Sequence, residues 1–110
     1  MLGLETALPI VIKTMVETGK LDWNAVAERC SRTPARIAGL TEHGHDPAEG
    51  VAANLTLVDP AGVWTVSPGD LTGPSRNTPY AGLELPGRVV ATFFNGTPTV
   101  LDGKLQEVNP

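Results

Sequence analysis

The sequence predicts helices first and strands after, as two halves that lean on something outside these 110 residues. Three observations predict it. Apolar residues recur at helical spacing as far as Leu40, and beyond Thr41 that period disappears. A polar, glycine-containing stretch from 42 to 50 separates this region from alternating segments rich in strand formers. The strands are few, and the first helix is strongly apolar along one side, so neither half closes a core by itself. The expected organisation is a helical part over 1–41, a connecting loop over 42–50 and a β section over 51–110.

Leu4, Leu8, Val11, Ile12 and Met15 form the apolar stripe of the first helix. Thr6 is placed to cap it, which puts Pro9 in the first turn, where a missing N–H does no harm. Gly19 is placed to end it. Asp22 is the expected N-cap of a second helix that carries Trp23, Val26 and Cys30 on one face. Thr33-Pro34 then reads as a new cap with proline at the first helical position, opening a short third helix to about Leu40.

In the β section, Asn54-Leu55-Thr56-Leu57-Val58 alternates as a strand should, and Asp59-Pro60 is expected to stop it. Val63-Trp64-Thr65-Val66 reads as a second short strand, and 67–78 as irregular. Arg88 to Phe94 is the clearest strand. It runs into Asn95-Gly96, a dipeptide favoured in tight hairpin turns, and returns over Thr97 to Leu101 before a second turn at Asp102-Gly103. Pro98 suggests that the returning strand starts there or lies at an edge.

Composition narrows the function. Hydrophobic residues make up 41% of the chain and charged residues 18%, a globular balance with room for one small core. The net charge of −4 argues against nucleic acid, because Lys and Arg are scattered singly among carboxylates. Arg29, Arg32 and Arg36 come close together, and they read as one decorated side of a helix. No stretch is long and apolar enough to span a membrane, and the opening Met1-Leu2-Gly3-Leu4-Glu5 lacks the pattern of a secretory signal. A single cysteine, Cys30, makes no internal disulfide, and its apolar neighbours suggest a small buried hydrophobe. The expected compartment is the cytoplasm.

No catalytic constellation emerges. His43-Gly44-His45 has the His-x-His form of a zinc half-site, but helix precedes it where zinc hydrolases supply a strand. Asp46 and Glu49 are near, and no third histidine exists. The pair reads as a solvated loop. Glu5 and Glu17 are too far apart along one helix to share a site, and Asp59 and Asp102 sit where turns favour aspartate. Ser75 has no histidine or acid at a suggestive spacing, the glycines form no phosphate loop, and Trp64 and Tyr80 read as packing residues. Catalytic residues are expected to be none, and metal ligands none.

Three stretches carry a resemblance. They are Gly3-Leu4-Glu5-Thr6-Ala7-Leu8-Pro9, then Ser31-Arg32-Thr33-Pro34-Ala35-Arg36-Ile37, then Ser75-Arg76-Asn77-Thr78-Pro79-Tyr80-Ala81-Gly82 followed by Leu85-Pro86-Gly87-Arg88-Val89-Val90-Ala91-Thr92-Phe93 and Asn95-Gly96. In this order, over essentially the whole chain, they resemble the end of a class I dihydroorotase of the amidohydrolase superfamily. One departure is Asn54, where the wider superfamily usually has Ala-Asp before the strand.

The resemblance implies an α/β parent, a (β/α)8 barrel with a small β-sandwich assembled from both chain ends. This chain would supply the last barrel helices and the C-terminal strands. It implies an enzyme that interconverts N-carbamoyl-L-aspartate and dihydroorotate, with zinc activating water and a barrel carboxylate carrying the proton. The family's metal and catalytic residues lie upstream of the position matching Met1, so zinc belongs to the parent and none is expected on this chain, which is not expected to be active alone. Met1, Leu2 and Gly3 follow a loop that approaches substrate in relatives, and are expected to border the pocket. The expected partners are the remainder of the barrel and, in a non-catalytic alternative, aspartate transcarbamoylase. A segment of another cyclic amidase, dihydropyrimidinase or allantoinase, is the other alternative.

Overall fold

The computed structural model describes residues 1–108, arranged as two helices followed by a four-stranded sheet. The first helix begins as α-helix over Ala7–Val11 and continues as a π-helical turn over Ile12–Val16. Its end is a Schellman motif. Gly19 adopts φ +74°, its N–H bonds to Val16 O at 3.0 Å, and the Lys20 N–H reaches Met15 O at 2.9 Å. At the other end Thr6 is buried but does not cap with its side chain, because its own backbone is helical and its hydroxyl donates back to Gly3 O.

The second helix is continuous from Trp23 to Ala38, which corrects the expected break at Thr33-Pro34. A π-helical turn over Glu28–Arg32 sends the Thr33 N–H back to Glu28 O, and this wider turn leaves room for the Pro34 ring. Thr33 caps nothing; its hydroxyl donates to Glu28 Oε1 at 2.8 Å. Asp22 is the N-cap, in extended conformation, accepting from the Ala25 N–H at 2.8 Å. Asp22→Ala should therefore cost about 1 kcal/mol in chemical denaturation. The helix ends at Gly39, φ +71°, where Leu40 N–H bonds to Ala35 O. Cys30 is exposed, so the expectation of a buried thiol is corrected as well: Val26 faces inward, and Cys30 lies on the outer side of the π-turn.

The sheet has the order β1-β2-β3-β4, with β1 over Leu55–Thr65, β2 over Glu84–Phe94, β3 over Thr97–Leu101 and β4 over Lys104–Leu105. Asp59-Pro60 does not stop the first strand. β1 is an edge strand, the place in a sheet where proline is tolerated, and Asp59 Oδ1 accepts the Ala61 N–H at 3.0 Å to steady the step. The two predicted short strands are therefore one. β2 and β3 pair antiparallel through Asn95-Gly96, with φ +48° and +80°, the left-handed pair that a two-residue hairpin requires. Pro98 is the second residue of β3, beside a register shift at Thr92/Phe93. Asp102-Gly103 makes the matching turn into β4.

The chain divides into two compact units, one of Met1–Lys20 with Asp59–Arg88, the other of Leu21–Val58 with the chain from Val89 onward. The first buries Ile12, Val66, Leu71 and Leu85; the second buries Val26, Ala35 and Ala91. Leu4 remains 96% exposed and Met15 and Trp23 are also exposed, so much of the helices' apolar surface is uncovered.

Candidate functional site

In the first unit, Met1, Leu2 and Gly3 precede the first helix without regular secondary structure. A loop of the same unit holds them. The Leu2 N–H donates to Asn77 O at 2.8 Å, and Glu5 Oε1 accepts the Thr72 N–H at 2.7 Å. The Leu2 side chain lies against Gly73, close enough that a β-carbon there would sit 3.3 Å from Leu2 Cδ2. That loop has no ladder of its own. It is folded around Arg76, whose guanidinium donates to Leu71 O at 3.4 Å, Ser75 O at 3.0 Å and, closest of all, Gly73 O. The Ser75 and Thr78 hydroxyls accept from Asn77 N–H and Tyr80 N–H. Sequence reasoning singled out residues 1–3 and quoted 75–82, but it missed that the second stretch grips the first, since the contact atoms are backbone. The one available signal was an arginine following Gly73-Pro74 in a loop that needs a cross-link.

The histidine pair lies in the second unit. His43 stacks on Phe94 with ring centroids 5.8 Å apart, and both ring nitrogens of His45 lie 3.0 Å from carbonyls, those of Asp46 and Glu42. Gly44 between them, φ +68°, packs on the second helix so tightly that a β-carbon would fall 2.8 Å from Ala35 Cβ and 3.0 Å from Arg32 Cα. The two rings are thus committed to packing and to bracing a loop. Among the described residues no three His, Cys, Asp or Glu side chains gather as a metal site, and the donor set does not fit a catalytic zinc.

Charge on this loop is also committed. Arg32 pairs with Asp46, which with its hydrogen bond holds the guanidinium proton more firmly, and Glu28 is held below the usual carboxylate range by the Thr33 hydroxyl first and the Arg36 and Arg32 charges after it. Asn54 ties the same loop to the hairpin: its Nδ2 donates to Glu42 O and Asn95 Oδ1, and its Oδ1 accepts the Asn95 N–H at 2.8 Å. An aspartate in its place would have no donor for either oxygen. A groove beside His45, Val51 and Leu55 holds only about 110 Å³, well under the several hundred of a substrate pocket. No helix among the described residues is long and apolar enough to cross a membrane.

The arrangement is similar to a portion of a known structure, the L-hydantoinase (dihydropyrimidinase) from Arthrobacter aurescens, at a TM-score of 0.85 and 25% identity over 96% of this chain and 24% of that one. The fold is that of a segment of a hydantoinase-type amidohydrolase. No family model matches the chain. In sequence it is similar to the dihydroorotase of Streptomyces coelicolor, 54% identical over 105 residues, and to that of Mycobacterium tuberculosis, 46% identical over 106. Each match takes in 96% of this chain, which spans about a quarter of the curated relatives, 24% and 25%. The chain is thus similar to one segment of the dihydroorotases.

Proposed function

We propose that this chain is the C-terminal segment of a dihydroorotase, contributing framework rather than reacting groups to the interconversion of N-carbamoyl-L-aspartate and dihydroorotate. The 54% identity to the Streptomyces coelicolor enzyme across nearly the whole chain carries the reading. Within it, 1–41 are the last helices of a (β/α)8 barrel, 42–50 connect, and 51–110 are the C-terminal β section of a composite sandwich. The exposed apolar residues Leu4, Met15 and Trp23 support this, since a barrel would cover such surface. Met1, Leu2 and Gly3 border the substrate. Zinc, when bound, supplies an activated water and a polarised carbonyl, and the residues that hold it and move the proton lie in the remainder of the enzyme.

Hydantoinase structures favour a second reading, a segment of another cyclic amidase such as a dihydropyrimidinase. The twofold higher identity to dihydroorotases, 54% against 25%, favours the first. One experiment separates them. The purified chain with added zinc is expected to turn over neither dihydroorotate nor hydantoin. Co-expressed with the missing part of the Streptomyces coelicolor dihydroorotase, it is expected to restore dihydroorotate hydrolysis. Turnover by the chain alone would overturn the framework role, and rescue of the corresponding part of the Arthrobacter aurescens L-hydantoinase but not of the dihydroorotase part would overturn the choice of dihydroorotase.

A further inference from the structure

We infer that the loop 71–78, folded around Arg76, is a positioning device for Met1, Leu2 and Gly3, and that Arg76 and Glu5 are positioning residues for substrate binding. The inference rests on the reading of residues 1–3 as bordering the substrate and adds what sets their conformation.

The three lead-in residues have no secondary structure to fix them. Met1 and Gly3 are exposed, and the Thr6 hydroxyl donates to Gly3 O at 3.4 Å. What remains is the loop, which meets the segment at both ends. Asn77 O accepts the Leu2 N–H, the Thr72 N–H donates to Glu5 Oε1 just beyond the segment, and Gly73 leaves space that the Leu2 side chain fills. A β-carbon on Gly73 would crowd that side chain, so the glycine belongs to the fit.

Arg76 is the brace that spans the loop, beside the short-range Ser75 and Thr78 hydroxyl contacts. Arg76 is an arginine that uses its guanidinium on three carbonyls, those of Leu71, Gly73 and Ser75, and no carboxylate pairs with it among the described contacts. Carbonyls of residues 71, 73 and 75 turned toward one centre repel one another without a cation between them. The same curvature presents the Thr72 N–H to Glu5 and the Asn77 carbonyl to Leu2. Removing the guanidinium frees both anchors at once, and segment displacement of about 1 Å near a reacting group is enough to change rate substantially.

The test uses the complete enzyme that carries this segment, with Arg76→Ala, Arg76→Lys and Glu5→Ala. Two quantities are read: hydrogen exchange of the Leu2 amide, and steady-state kinetics with dihydroorotate. Arg76→Ala and Glu5→Ala are expected to speed Leu2 exchange and to lower kcat/KM by about tenfold, mostly through KM, with exchange in the two helices unchanged. Arg76→Lys, which keeps a cation with several donors, is expected to recover most of both. Unchanged Leu2 exchange in Arg76→Ala would overturn the positioning role whatever the kinetics. Faster exchange with unchanged KM and kcat would instead overturn the placement of residues 1–3 at the substrate, and with it the role of Arg76 in binding.

Discussion

Gly87→Ala is expected to destabilise the protein by about 3 kcal/mol, measured by chemical denaturation, the largest loss of any single methyl addition considered. Two effects act together. Gly87 adopts φ +86°, a conformation that costs an L side chain strain, and a β-carbon there would overlap Ile12 Cδ1. Ile12 is 2% exposed and Leu85, two residues before the glycine, is fully buried, so the isoleucine can turn its Cδ1 aside only by shifting packed neighbours. The Gly87 carbonyl meanwhile accepts the Trp64 indole N–H at 3.1 Å, so the backbone is anchored on its other side.

The two effects separate in a double-mutant cycle. Ile12→Val removes Cδ1, the atom in the way. In the wild-type background it should cost about 1 kcal/mol as a lost buried methyl group. In the Gly87→Ala background it should cost nothing or stabilise, leaving only the backbone strain. Simple additivity of the two substitutions would show that the clash is relieved elsewhere and that the Ile12–Gly87 contact is not the tight point of this unit.

That contact also shows which parts of the fold were legible in sequence. The helix end at Gly19, the Asp22 cap and both hairpin turns were readable because each is decided by a few neighbouring residues and their φ preferences. The misreadings at Thr33-Pro34 and Asp59-Pro60 have one origin. A proline interrupts structure only where its missing N–H or its ring meets an obligation, and a π-turn before Pro34 and an edge position for Pro60 remove it. Neither circumstance is local to the dipeptide. Gly87 was quoted as part of a motif, yet its demand comes from Ile12, seventy-five positions away in sequence. Residues 1–3 were marked through resemblance alone, and the atoms that hold them, the Asn77 carbonyl and the Thr72 N–H, belong to every residue type and so leave no signature.

Gly44→Ala is the second large effect, expected at about 2–3 kcal/mol, and it differs in kind because nothing can yield. The added carbon would meet Ala35 Cβ at 2.8 Å, but also Arg32 Cα and Ser31 O at 3.0 Å, both backbone atoms of the helix, and φ is +68° besides. Ala35→Gly removes only the first of these contacts and itself adds about 1 kcal/mol of helix penalty, so it should fail to rescue Gly44→Ala. The unfolding cost should come with local release of the 42–46 loop, visible as lost stacking of His43 on Phe94 and lost contacts of His45 with the Glu42 and Asp46 carbonyls. Rescue by Ala35→Gly, or a loop unmoved by Gly44→Ala, would sink this account. The glycine also sets how the two imidazoles of the His-x-His pattern are placed. A strand places two such imidazoles on one side by alternation. Here a left-handed glycine pressed on a helix sits between them, leaving one ring on an aromatic partner and the other bracing its own loop.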